Sequence, residues 1–472
     1  MKFNHSQSSQ QLVISLMIGL MITVLGQVAA LGQAPSAQTP EIQQMLKKME
    51  QLEDEVRALR QQVNSAMLAS KAPVAELNAA VNVPIPGAKA TGQIEKLKSG
   101  STVDFYGYVM LDSGNNFGTI DPNWFDVMRP TKLPAFPGEF APNGSVFFGV
   151  RQTRFGVKSF TPTPAGDLRT LFEFELFGTG VDVGQTTFRL RHAYGELGHF
   201  GAGQTWSPFM DIDVFPNSLE YWGPNGMVFF RNVQARWTPI QGNSNVVIAL
   251  ERPGASADGG VYSGRVELQG VTPQFKWPDL SGHGRFARHW GYVQVGGILR
   301  KIAWVDENPD KFNLSGTAIG WGVNVSSNLN FTRKDVGKFQ VVYGKAIQNY
   351  MNDAPIDIGV QNNFSNPISP IKGVPLPVLG VVSFLDHTWS ERFTSSIGYS
   401  LVNIDNSNAQ APDDFHQGQY ALANVLYHPL KKVTMGGEFQ FGRRVDFSSG
   451  FNVNDYKMQF SFKYDWNKGF EF

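Results

Sequence analysis

The 472-residue sequence contains no cysteine, which removes disulfide frameworks, thiolate metal sites and cysteine nucleophiles together. It has no charge excess either, since 40 basic residues are balanced by 40 acidic ones. Bulk attraction to nucleic acid and an acidic, disordered composition are therefore both excluded. After residue 30 no stretch reaches 18 uninterrupted apolar residues, so the chain offers no transmembrane helix beyond its first segment. What it has in quantity is glycine (49) and aromatic side chains (12%), with a slightly negative mean hydropathy. That mixture suits strands that are apolar on one face only.

Met1 to Ala30 reads as a signal peptide: Lys2 precedes an apolar run from Leu12 to Leu25 that is too short to span a bilayer, and Val28-Ala29-Ala30 supplies small side chains for cleavage. Glu41 to Ala69 has neither glycine nor proline and carries Ile42, Met45, Met49, Leu52, Val56, Leu59, Val63 and Ala66 in strict 3-4-3-4 alternation. This is an a/d heptad seam, which buries itself against other copies or another protein. The competing reading is an amphipathic helix packed on its own barrel. Residues 70–102, rich in Ala, Pro and Gly, read as a linker.

From Val103 to Phe472 the dominant period is two. At the C-terminus Tyr456, Met458, Phe460, Phe462, Tyr464, Trp466, Phe470 and Phe472 share one parity, and the other is polar or glycine throughout. A helix would scatter these aromatics around its axis, and a soluble edge strand of this kind would aggregate, whereas a closed barrel removes the edge. The expected fold is all-β: a transmembrane antiparallel up-and-down barrel of about 16 strands over 103–472. Long loops are expected at Ile120 to Ser145, Trp206 to Met227 and Gln348 to Leu379.

Parity then locates charges in the lumen. With Phe155 and Val157 towards lipid, Arg154 and Lys158 face in; with Phe188, Leu190 and Tyr194 outward, Arg189 and Arg191 face in; with Val233, Ala235 and Trp237 outward, Arg236 does so too. Arg151 and Arg231 fall on the outward parity and need a bulge or a strand start to reach water, so they are weaker candidates. The Trp206 to Met227 loop, with Asp211, Asp213 and Glu220, is placed to fold inward opposite the arginines and set up a transverse field. The opposing reading is that the arginines merely neutralise Glu173, Glu175 and Glu196 on neighbouring strands.

Other chemistries find little support. His283 and His289 are the one close histidine pair and make a poor metal site; no G-x-S-x-G elbow marks a hydrolase; the tryptophans read as girdle or loop packing. No catalytic residue, metal or cofactor is expected.

The ending in phenylalanine after alternating aromatics, and the run from Tyr427-His428-Pro429 through Gly436-Gly437-Glu438-Phe439 to Gly442-Arg443, are similar to outer-membrane porins generally. The heptad segment combined with Arg151-Gln152-Thr153-Arg154-Phe155-Gly156-Val157, Gly203-Gln204-Thr205-Trp206-Ser207, Gly223-Pro224-Asn225-Gly226 and Arg231-Asn232-Val233-Gln234-Ala235-Arg236 resembles the DcaP-like porins. That resemblance implies a 16-stranded barrel in the Gram-negative outer membrane, a periplasmic coiled coil, a homotrimer, and passive uptake of small anions such as dicarboxylates. Lipid and lipopolysaccharide are the expected surroundings. Two alternatives are a general porin without anion preference and a structural anchor whose coiled coil binds periplasmic partners.

Overall fold

The computed structural model describes residues 100–472, apart from 142–143 and 309. The segments expected to be a signal peptide (1–30), a coiled coil (41–69) and, but for its last residues, a linker (70–102) lie outside the described residues. No helix among those described is long and apolar enough to cross a membrane; the crossing is made by strands.

Sixteen antiparallel strands close into a barrel among the described residues. They are β1 (Thr102–Asn116), β2 (in two halves, Ser145–Gly149 and Arg154–Thr163), β3 (Gly166–Phe177), β4 (Thr186–Leu197), β5 (Phe200–Trp206), β6 (Arg231–Ile240), β7 (Asn245–Glu251) and β8 (Asp279–Arg288). There follow β9 (Gly291–Asp306), β10 (Gly316–Asn330), β11 (Asp335–Lys345), β12 (Pro377–Ser390), β13 (Phe393–Ile404), β14 (Phe415–Leu430), β15 (Val433–Asp446) and β16 (Asn452–Glu471). Each strand pairs with the next, and β1 pairs with β16 from Thr102 opposite Glu471 to Asn116 opposite Lys457, so no edge remains open. Both halves of β2 pair with β1.

The burial pattern is inverted relative to a soluble protein. On β16 Tyr456, Phe460, Phe462 and Tyr464 are exposed, while Lys457, Gln459 and Ser461 between them are buried. On β10 Ile319, Trp321, Val323 and Val325 are exposed, while Asn324 and Ser326 are buried. Apolar residues outside and polar residues inside are what a lipid solvent selects. Turns of two to four residues, such as 164–165, 198–199 and 431–432, join strands at one rim; connections at the other rim are longer, as at 117–144, 207–230, 252–278 and 346–376. The first described residues lie at the short-turn rim, where Gly100 N donates to Phe472 O at 3.3 Å.

Three long loops enter the lumen and share an apolar core there. Met128 and Leu133, Phe209, Met210 and Met227, and Ile347, Tyr350 and Leu376 pack against Val342, Val378, Val402 and Tyr420 of the wall. Polar clamps fix the loops in place. Arg129 lies between the rings of Trp124 and Trp222, 4.1 Å from each, and pairs with Asp353 at 2.8 Å. Fully buried Arg300 on β9 reaches Asp279 and Asp357 at 3.0 Å each, and donates to the carbonyls of Gly254 and Ala346. Ala346 is the non-glycine residue in left-handed conformation among those described (φ 53°), a geometry held by the contact with Arg300. Arg300→Ala leaves two buried carboxylates without their cation, so a loss of about 3–5 kcal/mol is expected, concentrated in the 252–278 and 346–376 loops. Limited proteolysis of the variant should cut those loops first, with the barrel intact.

At the long-loop rim the Asp414 carboxyl neighbours that of Asp258. Asp258 is held by Gly260 N at 2.7 Å and Gln410 Nε2 at 3.2 Å, and Asp414 by Ala411 N at 2.7 Å. Burial first, then the neighbouring Asp258, push the Asp414 carboxyl up to about 7. The closed loops hold that proton and opened loops release it with an ordinary carboxyl pKa. Closure is therefore strongest below about pH 4 and is progressively lost as pH rises through about 7. Protease sensitivity of the 405–414 loop should grow between pH 5 and 8.5 in the native protein and stay level in Asp414→Asn. Identical pH dependence in the two would contradict this account.

Candidate functional site

The residues proposed from parity gather on one stretch of wall. Glu173 and Glu175 project inward from β3, because Phe172 and Phe174 take the lipid side. Four arginines converge on them. Arg191 is closest, with Nε 2.6 Å from Glu173 Oε1 and Nη1 2.7 Å from Glu175 Oε2. Arg154 stands 3.3 Å from Glu175 and 3.7 Å from Glu173. Arg189 and Arg231 are each 3.8 Å from Glu175 Oε1. Tyr221, from the inward 207–230 loop, donates to Glu175 and accepts from Arg189 at 3.3 Å; Tyr106 donates to Glu173 at 2.7 Å. The Trp206 ring lies beneath two guanidinium groups, 5.3 Å from that of Arg191 and 4.8 Å from that of Arg231.

Four fixed positive charges meet two negative ones, so this wall carries a surplus of two guanidinium charges. The surplus sits beside open space: a cavity of about 290 Å³ is lined by Arg189, Gln204, Tyr221, Trp222, Arg231 and Asn352. Arg231 Nη1 is buried without a hydrogen-bond partner among the described residues. The Arg231 guanidinium thus lines the cavity with donor capacity that the wall does not use, and its charge favours a carboxylate or other oxyanion there.

The remaining candidates are placed as follows. Arg236 faces in, donating to Gln234 at 3.1 Å and to the Trp206 carbonyl. Lys158 faces in near the short-turn rim, 3.8 Å from Asp104 and well exposed. Arg151 lies in the break between the two halves of β2 and pairs at 2.6 Å with Asp126, which fastens the 117–144 loop rather than lining the cavity. Arg231 turns inward because it is the first residue of β6. Asp211 and Asp213 pair with Arg285 at 2.7 and 2.5 Å, away from the four-arginine cluster. Glu220 accepts from Met128 N at 3.1 Å and from Gly223 N, joining two loops. Tyr194, expected outward, faces in beneath Arg236, 5.6 Å from its guanidinium. The reason is a bulge: Glu173 pairs with His192 and Phe174 with Leu190, so Arg191 is an extra residue and the parity of β4 reverses after it.

Arg285, Arg300 and Arg129 were not singled out from sequence. Arg285 and Arg300 do occupy inward rows of β8 and β9, a signal that parity carries; Arg129 is in a loop, where no period exists. His283 bonds the Pro208 carbonyl at 2.7 Å and Asn245 at 2.9 Å, and no metal-binding group of three side chains is present among the described residues.

A closed barrel of this size, narrowed from within by a loop and bearing unpaired charge on its inner wall, has the architecture of an outer-membrane porin. The chain belongs to the DcaP outer membrane protein family, whose family model matches residues 50–454. Its fold is shared with the outer membrane channel DcaP of Acinetobacter baumannii at TM-score 0.63 and 18% identity, over 79% of this chain and 99% of that one. Weaker likenesses include the anion-selective porin of Comamonas acidovorans (TM-score 0.49, 11% identity, 78% of this chain and 100% of that one). The trimer form of OmpT from Vibrio cholerae scores 0.47 at 12% identity, again over 78% and 100%. No curated protein matches the chain in sequence.

Proposed function

We propose that this outer-membrane channel passes small anionic solutes preferentially, with mono- and dicarboxylates as the substrate class. One observation carries the reading: the surplus of two guanidinium charges around Glu173 and Glu175, with Arg231 Nη1 unsatisfied beside the 290 Å³ cavity. Guanidinium groups stay charged at every accessible pH and grip a carboxylate bidentately. Lateral pairing accounts for two of the four positive charges and leaves two for the solute.

The wider reading follows the same line. Residues 1–30 direct export, residues 41–69 form a periplasmic coiled coil through Ile42, Met45, Met49, Leu52, Val56, Leu59 and Val63, residues 70–102 link it to the barrel, and three chains assemble. The strict 3-4-3-4 spacing of these residues, with no glycine or proline between 41 and 69, is what supports the coiled coil.

Reversal potentials in planar bilayers under a gradient of about 0.1 M against about 0.01 M salt decide the charge preference, because at these ionic strengths the Debye length is ~10–30 Å and pore charges are not screened away. Anion preference is expected. Cation preference, or none, would overturn the proposal. Liposome swelling with carboxylates against sugars of equal size tests the substrate class.

A further inference from the structure

We propose that the outer face of the barrel carries a seat for a phosphorylated glycolipid of the outer leaflet, in a cleft between β9, β10 and the segment that enters β8. This cleft, of about 380 Å³, is bounded by Lys276, Trp277, Lys301, Ala303, Ser315 and Thr317. It lies on the lipid side of the wall, since Lys301 and Ala303 continue the outward row Val293, Val295, Gly297 and Leu299 of β9, while Thr317 continues that of β10. The cleft therefore belongs to a different compartment from the arginine wall.

Its height is set by strand geometry. Lys301 stands ten residues beyond Gly291 at the short-turn rim. At about 3.3 Å per residue and a tilt of about 40°, that is ~25 Å along the membrane normal, the height of the apolar band on barrels of this type. The sequence of each wall strand agrees. Above Leu299 the outward row of β9 changes to Lys301, above Ile319 that of β10 changes to Thr317, and beyond Leu280 of β8 come Trp277 and Lys276. Apolar side chains give way to cations and an indole where acyl chains give way to headgroups.

The chemistry of the cleft fits a phosphate. Lys276 and Lys301 are both exposed, no acid lines the cleft, and neither lysine has a carboxylate partner among the described residues. With no acid in the lining to offset them, both ammonium charges are open to an anion seated in the cleft. Trp277, 61% exposed, presents an amphipathic ring of the kind that settles against sugar and acyl ester at an interface. Next to Leu299 on the outward row of β9, Lys301 has a stem long enough to cover apolar wall and carry its ammonium to the headgroup plane. A glycolipid whose sugar bears phosphate and whose acyl chains run down the wall past Leu299, Leu280 and Ile319 satisfies charge, ring and apolar surface together.

The test uses the full chain purified free of native lipid in detergent, with bisphosphorylated lipid A, the same lipid dephosphorylated, and inorganic phosphate as probes. Native mass spectrometry reads the bound fraction and thermal unfolding the stabilisation. The wild type should bind the bisphosphorylated form at least about tenfold more tightly than the dephosphorylated form. Lys276→Gln/Lys301→Gln should remove that difference, and Arg288→Gln, on the outward face at the opposite rim, should keep it. Equal binding of the two lipids, equal binding by the double variant, or displacement of the lipid by millimolar inorganic phosphate would overturn the proposal. Because the readout is lipid binding, its failure would leave the channel's charge preference untouched, and the reverse holds as well.

Discussion

Replacing Arg189 and Arg231 together with glutamine should bring the anion preference of the channel close to unity while leaving the barrel folded. These are the two arginines with the loosest hold on Glu175, at 3.8 Å each, and both line the cavity. Their removal leaves Arg154 and Arg191 against Glu173 and Glu175, a wall of two charges against two. A unit charge about 6 Å from a passing carboxylate contributes roughly 0.7 kcal/mol in a fully aqueous pore and ~3 kcal/mol at an effective dielectric of 20. Two such charges correspond to about tenfold in permeability ratio at the low end, since 1.4 kcal/mol is tenfold. Arg191→Gln should behave differently. Arg191 is buried and bonded to both glutamates at 2.6 and 2.7 Å, so its loss removes the shortest ion pair of each carboxylate, at about 1–3 kcal/mol of local structure, while Arg154, Arg189 and Arg231 still compensate their charge. An unchanged reversal potential in the double variant would remove the arginine surplus as the origin of selectivity.

The sequence discloses what repeats and conceals what does not. The barrel is legible because the wall strands share one rule: residue types alone divide β16 into a lipid row and a water row, and Arg154, Lys158, Arg189 and Arg236 all lie on the inner row that parity assigns them. The rule fails where a strand gains a residue. Arg191 and His192 are both polar, so nothing in their types marks the bulge that turns Tyr194 inward. Loop partners were illegible for another reason. Asp211 meets Arg285 across 74 residues, and Arg300 meets Asp357 across 57; loops carry no period, and the choice of partner depends on how three of them pack together inside the lumen. The heptad seam at 41–69, though the cleanest helical pattern in the chain, lies outside the described residues.

Glu438→Ala should widen the channel without unfolding the barrel. Glu438, buried on β15, accepts four hydrogen bonds: from Leu219 N at 2.7 Å, Glu220 N at 3.1 Å, Asn424 Nδ2 at 2.8 Å and Gln440 Nε2 at 2.8 Å. Two of the four donors are backbone amides at the tip of the inward 207–230 loop, so this carboxylate is the peg on which the constriction hangs. Alanine leaves both amides facing a wall that cannot receive them, at about 1–3 kcal/mol each. The surrounding charge stays compensated, because Lys457 remains beside Glu220, Asp126 and Asp112. One nearby tether of the same loop is weaker: Gly226 N donates to Ser400 Oγ at 2.9 Å, a neutral bond whose loss in Ser400→Ala costs about 1 kcal/mol. The conductance gain should accordingly be large for Glu438→Ala and small for Ser400→Ala, with admission of larger sugars in liposome swelling for the first alone. Glutamine at 438 rescues the tip only in part, because its amide oxygen accepts from one loop amide while its nitrogen turns a donor towards the other. If Glu438→Ala conducts like the wild type, the tip is held elsewhere, and the Leu219 carbonyl, bonded by Gln152 at 2.9 Å and Gln459 at 3.2 Å, is the contact to remove next.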